Sequence, residues 1–148
     1  MKKLTFLLAS LLIGIVILAM STFTVDQREY AIVFRLGEII SIKKGYCKLS
    51  STISKEMTNG FNLAHGGICY SLADSCFAFT ANSLGKISLT KSAEIRYLKK
   101  VALNDIIFAE CKQNQKDSSL FIVNIFNQKK EEIAIFKGIA HFTNKDWL

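Results

Sequence analysis

TNGFNLAHGGICYSLADSCFAFTANSLG, residues 58–85, decides how this chain is read. It predicts a polar loop over 59–65 and a helix from Gly66 to Leu84. The helix is opened by two glycines and closed by Asn82-Ser83-Leu84-Gly85, with Gly85 suited to cap the C-terminus. Ile68, Leu72, Ala73, Cys76 and Phe79 recur at helical spacing and are expected to be buried.

The same stretch holds the reactive groups. A His65-Gly66-Gly67 helix start can present backbone N–H groups to a substrate oxygen, because glycine permits close approach and the helix dipole favours negative charge. Asp74 places a carboxylate among Leu72, Ala73, Cys76 and Phe77, an expensive position unless the carboxylate is hydrogen-bonded or chemically employed. The plainer alternative is a capping loop and an aspartate bonded to a nearby serine or backbone group. His65 and Asp74 are nine residues apart, about 13 Å along a helix. One chain therefore does not easily bring Gly66 and Asp74 to one carbonyl; two chains with antiparallel helices could, which predicts a dimer or larger with an interfacial site.

Working outward, Tyr46–Ile53 reads as a strand with Cys47, Leu49, Ser51 and Ile53 on one face. After the helix come four β-rich runs, Lys86–Tyr97, Asp105–Cys111, Leu120–Asn127 and Glu132–Phe142, joined by short polar turns. The expectation is an α+β domain over 39–148, an antiparallel meander wrapped on one helix. The 148 residues, half of them apolar and 21% charged, exclude a multi-domain enzyme, a disordered chain and a polytopic membrane protein. The net charge of +7 is scattered in pairs such as Lys43-Lys44, Lys99-Lys100 and Lys129-Lys130, and no nucleic-acid motif accompanies it, so no nucleic-acid partner is expected. Cys47, Cys69, Cys76 and Cys111 lack metal-ligand spacing and read as core thiols of a reducing compartment. No metal is expected. His141, in the last strand, reads as structural or exposed.

The N-terminus differs in kind. Of residues 1–25, 17 are apolar and none is acidic. The uncharged run 4–25 would span about 33 Å as a helix, enough for a bilayer core, and predicts a retained single-pass anchor; Ala19-Met20-Ser21 keeps a cleaved signal peptide open. Asp26 to Glu38, DQREYAIVFRLGE, follows as a short strand and junction. Residues 1–42 resemble the N-terminus of the stomatin/prohibitin (band-seven) membrane proteins that partner a membrane AAA protease. The large band-seven domain itself is absent.

From about residue 36 to 142 the chain resembles the hotdog-fold acyl-CoA thioesterases of the phenylacetate-degradation type. The asparagine at 59, the HGG of 65–67 and the LAD aspartate at 74 carry this likeness. The resemblance implies a five-stranded antiparallel sheet around a central helix, assembled as a homodimer or homotetramer (a dimer of dimers). Asp74 would be general base or nucleophile, and the Gly66 N–H would polarise the thioester carbonyl. Asn59 and His65, from the facing subunit, would orient the carbonyl or water, with Gly67 and Asn82 as substrate-binding residues. No cofactor is implied, since coenzyme A arrives within the substrate. Where that family commonly has proline and glycine, this chain has Lys100 and Asn104; Asn104 can adopt the left-handed conformation and keep the turn.

Two functions follow. One is a membrane-anchored thioesterase that hydrolyses aryl-acetyl- or acyl-CoA, its domain in the cytoplasm. The other is a truncated band-seven-like membrane protein in a protease complex, with an inactive hotdog half.

Overall fold

The computed structural model describes residues 37–114 and 116–147. The predicted anchor and the band-seven-like stretch as far as residue 36 lie outside the described residues. Among the described residues, no helix is long and apolar enough to cross a membrane.

Six antiparallel strands and one long helix form the domain: β1 (Glu38–Lys43), β2 (Tyr46–Thr52), α1 (Gly66–Asn82), β3 (Lys86–Tyr97), β4 (Ile106–Gln113), β5 (Leu120–Asn127) and β6 (Glu132–Asp146). The strands lie in the order β1-β2-β4-β5-β6-β3. This corrects the expected meander: β3 pairs with β6 at the far edge, from Lys86↔Asp146 to Tyr97↔Ala134, and not with β4. The cause is the helix, whose 17 residues carry the chain about 25 Å across the sheet before β3 begins. The return segment then crosses the helix start, where Ala64 N–H donates to Val101 O at 2.9 Å and Leu103 N–H to Asn62 O at 3.0 Å. A second difference is the sixth strand, β1, which turns into β2 at Gly45 (φ +71).

Alternation fixes the faces. Cys47, Leu49, Ile107, Ala109, Cys111, Phe121, Val123, Ile125, Ala134 and Phe136 are buried beneath the helix. Between them on the outer face stand polar groups such as Lys48 and Glu110, whose ion pair spans 3.7 Å. The helix buries Cys69, Leu72, Ala73, Cys76, Phe77 and Ala81. Ile68 and Phe79, expected in the core, are only partly buried; Cys69 and Phe77 take those places. Phe77 meets Phe121 edge-on at 5.3 Å between centroids, and the absence of a side chain at Gly138 lets it seat: a Cβ there would come within 3.2 Å of the Phe77 ring. All four cysteines are buried and free.

One turn bears on the site. Asn104 does adopt the left-handed conformation (φ 68) expected of it. Asp105 secures that turn by accepting the Ala102 N–H at 2.8 Å and the Gln128 amide at 2.7 Å, and these bonds hold its carboxyl below the usual range.

Candidate active site

The loop before α1 is built around Asn59. Its Oδ1 accepts the N–H groups of Phe61 (2.9 Å) and Leu63 (3.3 Å), an Asx turn that folds residues 59–63 back on themselves. Met57 O then accepts the His65 N–H at 3.0 Å, and the helix starts at Gly66. His65 occupies the N-cap position with extended backbone (φ −61, ψ 137), is exposed, and makes no side-chain cap bond. The first N–H groups of a helix have no intrahelical acceptor, so those of Gly66 and Gly67 are open to a ligand.

The two glycines differ in what requires them. A Cβ at Gly66 would lie 2.9 Å from the Tyr97 hydroxyl, which donates to Gly66 O at 2.8 Å and fixes the first peptide of the helix. A Cβ at Gly67 would meet nothing within 4 Å. No neighbour demands glycine at 67; its effect is to leave space above the backbone.

A cavity of about 230 Å³ opens beside this helix start, walled by Asn59, Gly66, Cys69, Tyr97, Lys99 and Lys100. Burial pushes the Cys69 thiol up to about 11, which keeps it protonated and unreactive at neutral pH. Two larger grooves of about 410 and 450 Å³ run along Glu110 and Phe126 on the opposite sheet face, and none of the catalytic or substrate-binding candidates lines them.

Asp74 lies two helical turns on, about 12 Å from Gly66 along the axis. It is half-buried, and desolvation raises its pKa above the ordinary aspartate value. The Thr90 hydroxyl of β3, 3.5 Å away, opposes that shift weakly. Asn59, His65 and Gly66 thus stand together at the helix start, while Asp74 stands apart from them in the same chain. Asn82 is more remote still. It is buried at the other end of α1, and its Oδ1 accepts the Ser88 N–H (2.7 Å) and hydroxyl (2.9 Å), tying the helix to β3. Thr90 and Tyr97 were not legible in advance, since each is an exposed residue on an ordinary strand. Among the described residues, no group of three metal-ligating side chains could hold an ion.

One helix seated in a curled antiparallel sheet, with open N–H groups at its start and a desolvated carboxylate midway, defines a hotdog protein of the thioester-hydrolysing kind. The chain belongs to the thioesterase superfamily, whose family profile matches residues 61–134. The acyl-coenzyme A thioesterase PaaI of Escherichia coli is 30% identical over 106 residues, covering 70% of this chain and 76% of the relative. A protein of Archaeoglobus fulgidus that bears an esterase name is 33% identical over 113 residues, covering 75% of this chain and 73% of its own length. The solved structure of the E. coli PaaI protein superposes with a TM-score of 0.73 at 28% identity, covering 78% of this chain and 86% of that one.

Proposed function

We propose that this chain hydrolyses acyl-CoA or aryl-acetyl-CoA thioesters to the free acid and coenzyme A. The observation that carries the reading is the pairing of an open Gly66-Gly67 helix start beside a cavity with a desolvated carboxylate at Asp74. The Gly66 N–H donates to the thioester carbonyl oxygen as it gains charge. As general base, Asp74 takes a proton from water; the hydroxide oxygen bonds the carbonyl carbon, the C–S bond breaks, and the proton passes to the departing thiolate. As nucleophile, Asp74 would instead bond the carbon itself, and water would release the acid in a second step. Asn59 and His65 orient the carbonyl or the water, Gly67 leaves room for the substrate, and Asn82 acts only through its hold on β3. Coenzyme A enters with the substrate and no other cofactor is called on.

The 12 Å between Gly66 and Asp74 supports a site shared between two copies. The surface suited to that is β3, a proline-free edge strand of 12 residues, most of them exposed, carrying Thr90 beside Asp74 and Tyr97 beside Gly66. A second copy added antiparallel along this edge would set the two helices antiparallel and bring each Asp74 toward the other chain's Gly66. Residues 4–25 extend the proposal to a membrane-attached enzyme whose domain faces the cytoplasm; contact with a membrane protease through residues 1–42 belongs to the alternative in which the hotdog half is inactive. Turnover of phenylacetyl-CoA and medium-chain acyl-CoAs, measured with the size of the active species, tests the reading. No turnover would refute the activity, and an active monomer would refute the shared site. A reporter fused after Leu148 tests orientation, with periplasmic activity counting against the cytoplasmic placement.

A further inference from the structure

Lys99 and Lys100 both wall the 230 Å³ cavity, and the structure treats them differently. Lys99 is spent within the protein: its Nζ donates to Glu131 Oε1 at 2.7 Å. Lys100 is exposed, and among the described residues no carboxylate lies within ion-pair distance of it. Its backbone is held firmly. Lys99 N–H donates to Ile133 O at 3.1 Å, Val101 O accepts the Ala64 N–H at 2.9 Å, and Ala102 bridges to Leu63. The rest of the wall is apolar or neutral, including Leu63, Ala64 and Val101, and no acidic side chain lines it. A small, largely apolar hollow with one unneutralised cation on an anchored stretch of backbone selects a ligand that is part apolar and carries an anionic group.

We infer that Lys100 binds an anionic group of the thioester substrate, and so sets which substrates are held at the Gly66 site. This rests on the thioesterase reading above. The anion has two sources: a carboxylate at the far end of the acyl group, or a phosphate of coenzyme A. The shared chemistry is an oxyanion accepting from the Lys100 ammonium.

The test uses the full chain, wild type and Lys100→Ala, with Lys100→Arg to restore the charge. Three substrates are compared: butyryl-CoA, succinyl-CoA, and S-butyryl-pantetheine, which carries no anionic group. Loss of one charge-assisted bond corresponds to about a tenfold rise in KM. That rise is expected in Lys100→Ala for the substrates whose anion is held, with less than a twofold change for S-butyryl-pantetheine, and recovery in Lys100→Arg. A rise confined to succinyl-CoA identifies the acyl carboxylate; a rise with both CoA thioesters identifies the phosphates. KM values unchanged, or raised equally for all three, would overturn the inference. Wild-type inactivity on every substrate speaks against the enzymatic reading instead. Calorimetric Kd values for coenzyme A and succinyl-CoA then still decide the role of Lys100, because equal values in wild type and Lys100→Ala refute it.

Discussion

Gly67 separates what the fold needs from what the chemistry needs. A Cβ built there has no neighbour within 4 Å, and its backbone is helical, so alanine introduces no clash and no strain. Replacing glycine by alanine in a helix is favourable by up to about 1 kcal/mol, and less near the first turn. For roughly 110 ordered residues, an unfolding entropy of about 2.1 cal/mol/K per residue makes 1 kcal/mol worth about 4 °C. Gly67→Ala should therefore melt between the wild-type Tm and about 4 °C above it. Activity should move the other way. A methyl group where the thioester must approach the helix start weakens a donor interaction of the kind worth 2.7–4 kcal/mol in full, on the order of 10²–10³ in rate. A partial loss of about tenfold or more in kcat/KM is expected. Thermal melting and thioester hydrolysis on one preparation measure both. A Gly67→Ala protein as active as wild type refutes the approach of substrate over Gly67, and one less stable than wild type refutes the open space.

Further outcomes follow from three other residues. Desolvation raises the Asp74 pKa, so kcat/KM should climb with pH through an apparent pKa above the ordinary aspartate value near 4. The same shift has a stability counterpart. Because the folded-state pKa exceeds the unfolded one, Asp74 contributes fully below the unfolded pKa and loses that contribution as pH rises through the folded one; Asp74→Asn should gain stability over wild type at neutral pH but not at pH 3, read by urea titration. Lys130 holds φ 62 in the β5–β6 hairpin, a conformation that disfavours a side chain by about 1–2 kcal/mol, so Lys130→Gly should raise Tm by about 2–4 °C after the entropy of glycine is offset. Gly138→Ala puts a Cβ 3.0 Å from the Phe136 ring and 3.2 Å from Phe77, and should destabilise by about 1–3 kcal/mol; a neutral result would show that these rings can shift.

Much of this was legible in the sequence, and the reasons differ by element. The strands Lys86–Tyr97 and Leu120–Asn127 were bounded correctly because polar turns with clear chemistry flank them. The helix began where Gly66-Gly67 said it would and stopped two residues early, at Asn82, with Gly85 at φ +99 completing the turn. Its buried face was misjudged at Ile68 and Phe79 because apolar side chains encircle α1, so spacing alone could not choose between Phe77 and Phe79. Strand order was hidden for a more general reason: periodicity reports which face of a strand is buried, not which distant strand it pairs with. The site divided along the same line. Local chemistry marked Asn59, His65, Gly66, Gly67 and Asp74. Thr90 and Tyr97 reach the helix only through the β3 edge, a tertiary placement that no short motif encodes.

The most direct test of the account is the hydrolysis of phenylacetyl-CoA and medium-chain acyl-CoAs by wild type beside Asp74→Asn, which keeps size and shape but removes the base. Wild-type turnover with a loss of at least about 10²-fold in Asp74→Asn, melting remaining at or above the wild-type temperature, is the predicted result. Equal turnover by the two proteins would contradict it.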